Sequence, residues 1–266
     1  MTYDAPELTV EIKDFVATVE IQRPPHNFFD FALIRQIADT YEKIDQDPSV
    51  RTILLCANGK SFCAGANFGD GSTVQDDGSV EGSVNRLGID HLYVEAVRVF
   101  ACKTPVVAAV QGAAIGGGLG LAMSADFRVG CPESRFAANF TRLGFHPGFG
   151  LTHTLPRAIG HQKAALMFLT ARRVKGEEAF ELGLMDQMST LDTLRQNAWD
   201  LAREIAINSP LALTSTRDTL RAGLADAVKA QTDHELHEQT WLRKTEDFKE
   251  GVAATHDRRL PNWSGA

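Results

Sequence analysis

The sequence has none of the features typical of membrane-spanning, disulfide-stabilised or zinc-binding proteins. No apolar run in its 266 residues approaches the ~18–20 residues that a transmembrane helix needs. Its four cysteines, Cys56, Cys63, Cys102 and Cys131, form no Cys-x-x-Cys pair, so we interpret them as reduced core residues rather than as disulfide or zinc ligands. The N-terminal residues lack a basic region followed by an apolar core, and we therefore expect no signal peptide and a cytoplasmic protein.

Basic residues are in the minority. Lysine and arginine total 27 against 34 aspartate and glutamate residues, which gives a formal net charge of −7. This balance argues against nonspecific binding to nucleic acid or to an anionic membrane, so we expect neither as a partner. A local basic site for an anionic ligand is compatible with it. A chain of this length can form one domain of about 200–250 residues plus an appendage.

The motifs that glycine-rich turns often signal are also missing. In AAIGGGLGLAMSAD (113–126), Leu121 stands where the last glycine of G-x-G-x-x-G would fall, and no Gly-Lys-Ser/Thr occurs in this stretch. The chain has no G-x-S-x-G elbow, which disfavours a serine hydrolase. Two interpretations of the glycines at 116–118 remain. They permit close packing of a helix on a strand, or they expose a backbone N–H at a helix N-terminus to a polarised oxygen.

Strand and helix patterns alternate and are then followed by a helical region. Apolar runs and period-2 alternation predict strands at 8–12, 16–21, 52–57, 106–110 and 126–130. Apolar residues at helical spacing predict helices at 31–44, 89–101 and 117–124, and the pattern is helical from residue 157 onward. This order predicts an α/β core with a helical C-terminal part. Residues 69–85, rich in Gly, Ser and Asp, predict a mobile surface segment.

A second small-residue turn, SFCAGANF (61–68), follows the predicted strand at 52–57. Two strand-end turns that each offer one free N–H can converge on a single oxygen. A thioester carbonyl needs two such donors if negative charge develops on its oxygen during reaction, and loss of one donor typically costs on the order of 10²–10³ in rate. The pair of turns therefore strengthens the interpretation that the glycines expose a backbone donor.

Six segments, in order along nearly the whole chain, together carry a specific resemblance. They are RPPHN (23–27), ILLCANGKSFCAGAN (53–67), KTPVVAAVQGAAIGGGLGLAMSAD (103–126), RLGFHPGFGLTHTLPRAIG (142–160), ARRVKGEEAFELGLMD (171–186) and TEDFKEG (245–251). In these segments the chain resembles the enoyl-CoA hydratase/isomerase family, the crotonases. The resemblance implies an α/β fold with a spiral core of ββα turns at 1–195 and a helical trimerisation region at 196–266.

The resemblance also implies a site and a ligand. A coenzyme A thioester would bind with its carbonyl between the backbone N–H groups of Ala66 and Gly117, and Ala64, Asn67 and Phe68 would be further substrate contacts. The family's assemblies imply a homotrimer or a dimer of trimers. Coenzyme A would enter as part of the substrate, and we expect neither a tightly bound cofactor nor a metal.

Two carboxylates that the resemblance would place in the site are missing. The best-known hydratases have one glutamate two residues after the GGG and a second before the LG-x-x-P-G turn, whereas this chain has Gly120 and Phe140 there. Loss of a general acid or base typically removes about 10²–10⁴ of rate. Some relatives with isomerase or dehalogenase chemistry have an aspartate where this chain has Gly148, so that alternative also weakens.

His146 is our candidate to replace these carboxylates. It lies in GFHPGFG, in the turn that faces the thioester in the family, and histidine titrates near neutrality; the alternative is a histidine packed against Phe145 and Phe149. Thr141, beside the second missing carboxylate, would at most orient a water. Tyr93 lies where some relatives carry a histidine base, but a buried helix tyrosine is the favoured interpretation.

The remaining candidates are weaker. Asp70, Asp76 and Asp77 are interpreted as solvated loop acids, although they could swing over the thioester. His234 and His237 lie three apart on a predicted helix without the H-E-x-x-H spacing, which favours a solvated face over a metal site. His153 falls in an apparent strand–helix connection, where it would be exposed or capping.

Two functions remain open. One is an acyl-CoA-processing lyase or isomerase, in fatty acid metabolism, that stabilises a thioester enolate at Ala66 and Gly117. The other is a catalytically silent acyl-CoA-binding protein. The aromatic residues of FFDF (28–31) and FHPGF (145–149) suggest a bulky apolar acyl group, or equally fill the core. RNA binding, known for some relatives, is disfavoured by the acidic balance.

Overall fold

The computed structural model describes residues 3, 5–68 and 91–266. The predicted surface segment at 69–85, with Asp70, Asp76 and Asp77, lies outside the described residues. So do the first two residues of the helix predicted at 89–101.

The larger sheet is the centre of the α/β core. Its strands, in chain order, are β1 (Leu8–Lys13), β2 (Val16–Ile21), β3 (Thr52–Ala57), β4 (Val106–Val110), β6 (Phe127–Gly130) and β9 (Gln187–Met188). They lie in the order β1-β2-β3-β4-β6-β9; β1 and β2 form an antiparallel hairpin, and every later pairing is parallel. β3 and β4 are buried along their whole length, as expected for central strands of a parallel sheet covered on both faces. The strands predicted from apolar runs are confirmed.

A smaller sheet positions the glycine run. It consists of β5 (Ala113–Ile115), β7 (Arg135–Ala137) and β8 (Arg173–Lys175), with β7 in the centre. These strands and β9 were not predicted, because two or three residues are too few to show a period. β5 ends directly before the first glycine, so this sheet fixes where the glycine turn begins.

The helices cover the sheets and then form the C-terminal part. They are α1 (Phe31–Ile44), α2 (Leu92–Ala101), α3 (Gly117–Ser124), α4 (Leu151–Ile159), α5 (His161–Thr170), α6 (Gly176–Leu182), α7 (Leu194–Ala206), α8 (Pro210–Leu220), α9 (Leu224–Leu242) and α10 (Glu246–His256), with a short 3₁₀ helix at Asn139–Leu143. The predicted bounds of α1 and α3 are confirmed. Every residue of α3 is buried, which is typical of a core helix that is apolar all round.

One sequence expectation is corrected by the helix bounds, and another stays untested. His153 lies inside α4, not in a connection, because this helix already begins at Leu151. Residue 195 lies within α7, whose Ala198, Ala202 and Ala206 pack in the same apolar cluster as strands of the large sheet. The division of the chain after residue 195 stays a prediction.

The predicted helical C-terminal part is confirmed, and it packs back onto the core. α9 contacts α2 and α4, and α10 contacts the 3₁₀ helix. Phe248 of α10 and Val228 of α9 are fully buried in the main apolar cluster. This packing brings residues near position 240 beside residues near position 93, although they are far apart in the sequence.

Candidate active site

The two small-residue turns meet at the edge of the smaller sheet. Cys63 donates its N–H to the Ala113 carbonyl at 2.9 Å, and Ile115 donates to the Cys63 carbonyl at 3.1 Å. These bonds form a parallel bridge between Cys63 and Ala114. The turn at 64–66 and the glycines at 116–118 therefore leave the same bridge side by side.

The glycines are required by this close approach. Gly65 has φ +81°, and a Cβ atom on it would lie 2.6 Å from the Ile115 carbonyl oxygen and 3.7 Å from the Gly117 nitrogen. A Cβ atom on Gly118 would overlap the Cys63 carbonyl. The close-packing interpretation of the glycine run therefore applies, since these residues bring two backbone segments together.

Two backbone donors remain at this point. Ala66 and Gly117 both line one cavity of about 550 Å³. In the part of the chain that the structure describes, no protein acceptor takes the N–H of either residue. Gly117 is the first residue of α3, so its N–H is one of the donors that a helix leaves unpaired and that favour a negative charge.

Aromatic side chains form much of the cavity wall. Six phenylalanines with buried or partly buried rings line it, namely Phe28, Phe29, Phe68, Phe140, Phe145 and Phe149. Neighbouring rings pack at centroid distances of 5.4 to 5.9 Å. Of the aromatic residues in FFDF (28–31) and FHPGF (145–149), Phe28, Phe29, Phe145 and Phe149 line the cavity, and Phe31 is buried in the core.

The places of the missing carboxylates are filled. A Cβ atom on Gly120 would lie 2.7 Å from both Cβ and Cδ1 of Phe149, so this ring takes the space of a side chain there. A Cβ atom on Gly148 would overlap the hydroxyl oxygen of Tyr93. No aspartate or glutamate is among the described residues that line the cavity.

The structure brings some of the expected site residues together and leaves others outside. Ala64, Ala66, Phe68 and Gly117 line the cavity, but Asn67 is not among the lining residues. His146 is not brought to the cavity. Its Nδ1 lies 2.8 Å from the Pro147 carbonyl oxygen, and its ring packs against the exposed His234 at a centroid distance of 5.7 Å.

Thr141 is also directed elsewhere. Its hydroxyl donates to the Phe168 carbonyl at 2.7 Å, and the side chain is exposed. His237 lies exposed on α9. Within the described ranges, no group of three or more His, Cys, Asp or Glu side chains is arranged to hold a metal ion, and no helix is long and apolar enough to cross a bilayer.

Tyr93, in contrast, faces the cavity and is held by hydrogen bonds. Its hydroxyl donates to Oε1 of the fully buried Gln239 at 3.1 Å, and Gln239 Nε2 donates to the His146 carbonyl at 2.8 Å. Burial raises the pKa of the Tyr93 phenol well above its ordinary value. The phenol is therefore neutral at physiological pH and donates a hydrogen bond to Gln239.

Sequence reasoning missed two polar residues of the cavity wall, His91 and Arg243. His91 Nδ1 accepts from the Tyr93 N–H at 3.2 Å, and Arg243 Nη2 donates to Gln239 Oε1 at 2.8 Å. Burial, with a smaller contribution from Arg243, lowers the pKa of His91 to about 3. Burial also lowers the pKa of Arg243. Neither residue belongs to a motif, so only the packing of α9 on α2 reveals them.

The outer part of the cavity wall is basic. Arg173, Arg258, His26 and His256 are exposed there, and Arg135 is partly exposed. The chain thus concentrates positive charge at one cavity in spite of its net charge of −7. Such a wall attracts phosphate or carboxylate groups.

Comparisons with known proteins agree with this architecture. The family model described as enoyl-CoA hydratase/isomerase matches residues 11–266. The chain is 29% identical to the 1,2-epoxyphenylacetyl-CoA isomerase of Escherichia coli K12, covering 94% of this chain and 95% of that protein. It is 31% identical to a probable enoyl-CoA hydratase of Rhodobacter capsulatus, covering 96% of each.

The fold is shared with solved structures. An enoyl-CoA hydratase/isomerase from Pseudoalteromonas atlantica superposes with a TM-score of 0.85 at 27% identity, covering 97% of this chain and 100% of that one. The α/β crotonase-like fold expected from the sequence is confirmed, and the chain belongs to the enoyl-CoA hydratase/isomerase family.

Proposed function

We propose that the protein processes acyl-CoA thioesters and that the N–H groups of Ala66 and Gly117 hold the thioester carbonyl. The observation that carries this proposal is that both residues line one cavity and that, among the described residues, neither N–H has a protein acceptor. Preorganised backbone donors of this kind stabilise negative charge on a carbonyl oxygen as an enolate forms.

The cavity also suits the rest of such a ligand. The exposed arginine and histidine side chains of its outer wall can bind the phosphates of coenzyme A. The phenylalanine rings can bury apolar parts of the acyl group. Assembly into a homotrimer or a dimer of trimers accompanies this proposal as an expectation from the family resemblance, and a place in the cytoplasm stays an expectation from the sequence.

For proton transfer we now favour Tyr93 over His146. Tyr93 lines the cavity and its hydroxyl takes the space beside Gly148, whereas the His146 ring lies outside the lining residues. The neutral phenol can deliver its proton to the α-carbon of an enolate. The phenolate that this leaves takes a proton back from solvent, a return that its raised pKa favours.

The alternative is a silent acyl-CoA-binding protein. One observation favours it: the places of the three family carboxylates are occupied by Gly120, Phe140 and Gly148, and no other carboxylate lines the described part of the cavity. An experiment must therefore separate binding from turnover.

The test is turnover of a panel of enoyl-CoA thioesters in deuterated buffer, with products analysed by mass spectrometry. An enzyme that forms an enolate incorporates solvent deuterium at the α-carbon. Tyr93→Phe should lower the turnover rate by about 10²–10⁴, while the Kd for a saturated acyl-CoA stays within about threefold. His146→Ala is the matched control and should stay near wild type.

Two results would change this assignment. If acyl-CoA binds tightly and no member of the panel reacts, the silent binding protein is the correct function. If Tyr93→Phe turns over at the wild-type rate while His146→Ala is at least about tenfold slower, the proton is carried by His146.

A further inference from the structure

Arg243 is a cation at the cavity wall that lacks a counterion in the described part of the chain. The side chain is mostly buried and lines the cavity. Nη2 donates to Gln239 Oε1 at 2.8 Å, and the guanidinium lies 5.4 Å from the centre of the Phe145 ring. Nε is buried without an acceptor, and no described carboxylate forms an ion pair with Arg243.

His91 presents a second unpaired donor. Its Nδ1 accepts the Tyr93 N–H at 3.2 Å, so in the neutral ring the proton is on Nε2. Nε2 is buried and has no hydrogen-bond partner among the described residues. Because burial holds the pKa of His91 at about 3, the ring stays neutral and Nε2 remains a single N–H donor at physiological pH.

The two groups belong to one cluster with Tyr93. The rings of His91 and Tyr93 pack at a centroid distance of 4.4 Å, and the Tyr93 hydroxyl and the Arg243 guanidinium both donate to Gln239 Oε1. Gln239 is the shared acceptor, and it cannot neutralise the charge of the guanidinium. The cluster is therefore a set of donors around a cation, with no carboxylate of the described residues among them.

The cluster lies close to the backbone donor at Gly117. Phe149 packs against Tyr93 with ring centroids 6.5 Å apart, and its Cδ2 lies 3.5 Å from where a Cβ on Gly117 would be. A single aromatic ring thus separates the cluster from the backbone donor at Gly117. Four of the basic side chains suited to phosphates are exposed, namely His26, Arg173, His256 and Arg258, whereas Arg243 and His91 are partly buried, as is Arg135.

A desolvated cation without a counterion is costly to the folded protein, and a bound anion would offset that cost. We propose that Arg243, with the His91 Nε2–H, binds a carboxylate carried by the acyl chain, so that the substrates are coenzyme A thioesters of dicarboxylic acids. This inference rests on the proposed function, because it takes the cavity to be the acyl-CoA site. A guanidinium binds a carboxylate through charge-assisted and often bidentate hydrogen bonds.

The experiment compares binding of acyl-CoA pairs of equal chain length by isothermal titration calorimetry. Succinyl-CoA is matched with butyryl-CoA and adipyl-CoA with hexanoyl-CoA, and free coenzyme A is included. For at least one length, wild type should bind the carboxylate form at least about tenfold more tightly. Arg243→Gln should abolish this preference and leave the Kd of free coenzyme A unchanged. Arg243→Lys should retain part of it, and Lys244→Gln, its exposed neighbour, should retain all of it.

Each other outcome has a definite meaning. Tight binding of every thioester without preference for a carboxylate overturns this inference and leaves the proposed function intact. An equal loss of affinity for free coenzyme A and for both members of each pair in Arg243→Gln shows that Arg243 binds a phosphate instead. Failure of wild type to bind any thioester overturns the proposed function, and this inference with it. A circular dichroism spectrum of Arg243→Gln that matches wild type excludes misfolding as the cause of a lost preference. The affinity that Arg243→Lys retains shows whether the positive charge is what matters.

Discussion

The Gly117 position tests whether a single backbone N–H carries the chemistry. A Cβ atom there would overlap Cζ of Phe29, so a substitution at Gly117 alone mixes steric and electronic effects. Replacing Phe29 by leucine removes Cζ and Cε1, the two ring atoms in the way. In that background Gly117→Ala keeps the N–H, whereas Gly117→Pro deletes it.

Proline suits this position otherwise, because Gly117 is the first residue of α3 and helices accept proline there. We expect Phe29→Leu/Gly117→Pro to turn over on the order of 10²–10³ more slowly than Phe29→Leu/Gly117→Ala. The measurement is kcat/KM for the best substrate of the enoyl-CoA panel, with circular dichroism on both variants. Equal rates would mean that the Gly117 N–H does not stabilise the transition state.

At the residue scale, the sequence predicted which two turns come together at one cavity, while the role of their N–H groups stays a prediction. The turns around Ala66 and Gly117 are marked by small residues that follow predicted strands, and they do line one cavity. Arg243 was not predictable, because a side chain 152 positions after His91 (243 − 91) enters the wall only through packing of α9 on α2. His146 is the opposite case. Its sequence neighbours Phe145 and Phe149 line the cavity, but its own side chain is not among the lining residues.

At the scale of elements, α9 and α4 are joined by a buried carboxylate. Glu235 on α9 accepts the Gly150 N–H at 2.8 Å, the Thr152 N–H at 3.1 Å and the Thr152 hydroxyl at 2.6 Å. It therefore caps the N-terminus of α4 from another helix. Burial raises the pKa of Glu235 to about 7 in spite of these donors, so desolvation outweighs the hydrogen bonds.

This raised pKa makes stability depend on pH. The folded protein binds the Glu235 proton more tightly than the unfolded chain does. The stabilisation that this proton contributes to the folded state is therefore complete below about pH 4.5 and is lost as pH rises through about 7. Over this interval the free energy of unfolding should fall by about 3 kcal/mol from Glu235 alone. Urea denaturation at a series of pH values measures it.

Glu235→Gln should flatten this part of the profile whatever its effect on absolute stability, since the side chain no longer titrates. Glu238→Gln, on the same helix but only partly buried, is the control and should follow the wild-type profile. An unchanged slope in Glu235→Gln would mean that another group is responsible.

Element prediction succeeded where the chain supplies a long pattern. The strand at 52–57, the helix at 31–44 and the helix at 117–124 have the predicted bounds, because apolar runs or apolar spacing extend over their whole length. β5, β7 and β8 have three residues each, and their existence depends on pairing with one another rather than on local pattern.

At the scale of the whole molecule, one carboxylate ties the C-terminal helices to the core. Asp126, directly before β6, accepts the Val106 N–H at 2.8 Å and pairs with Arg217 at 3.0 Å and Arg221 at 3.1 Å. Arg217 also donates to the Cys102 carbonyl at 2.6 Å. The three charged side chains are mostly buried, so screening by water is weak.

Removing this carboxylate should destabilise the whole protein. Asp126→Ala leaves two largely buried guanidinium groups near one another without their counterion, and such a loss typically costs about 3–5 kcal/mol in the free energy of unfolding. Asp233→Ala breaks an exposed pair with Lys229 and should cost no more than ~1 kcal/mol. Chemical denaturation compares the two. A similar small loss in both variants would mean that apolar packing of α7 and α9 alone holds the C-terminal helices on the core. A large loss only in Asp126→Ala would show that Arg217 of α8 and Arg221, directly after this helix, are held there by charge.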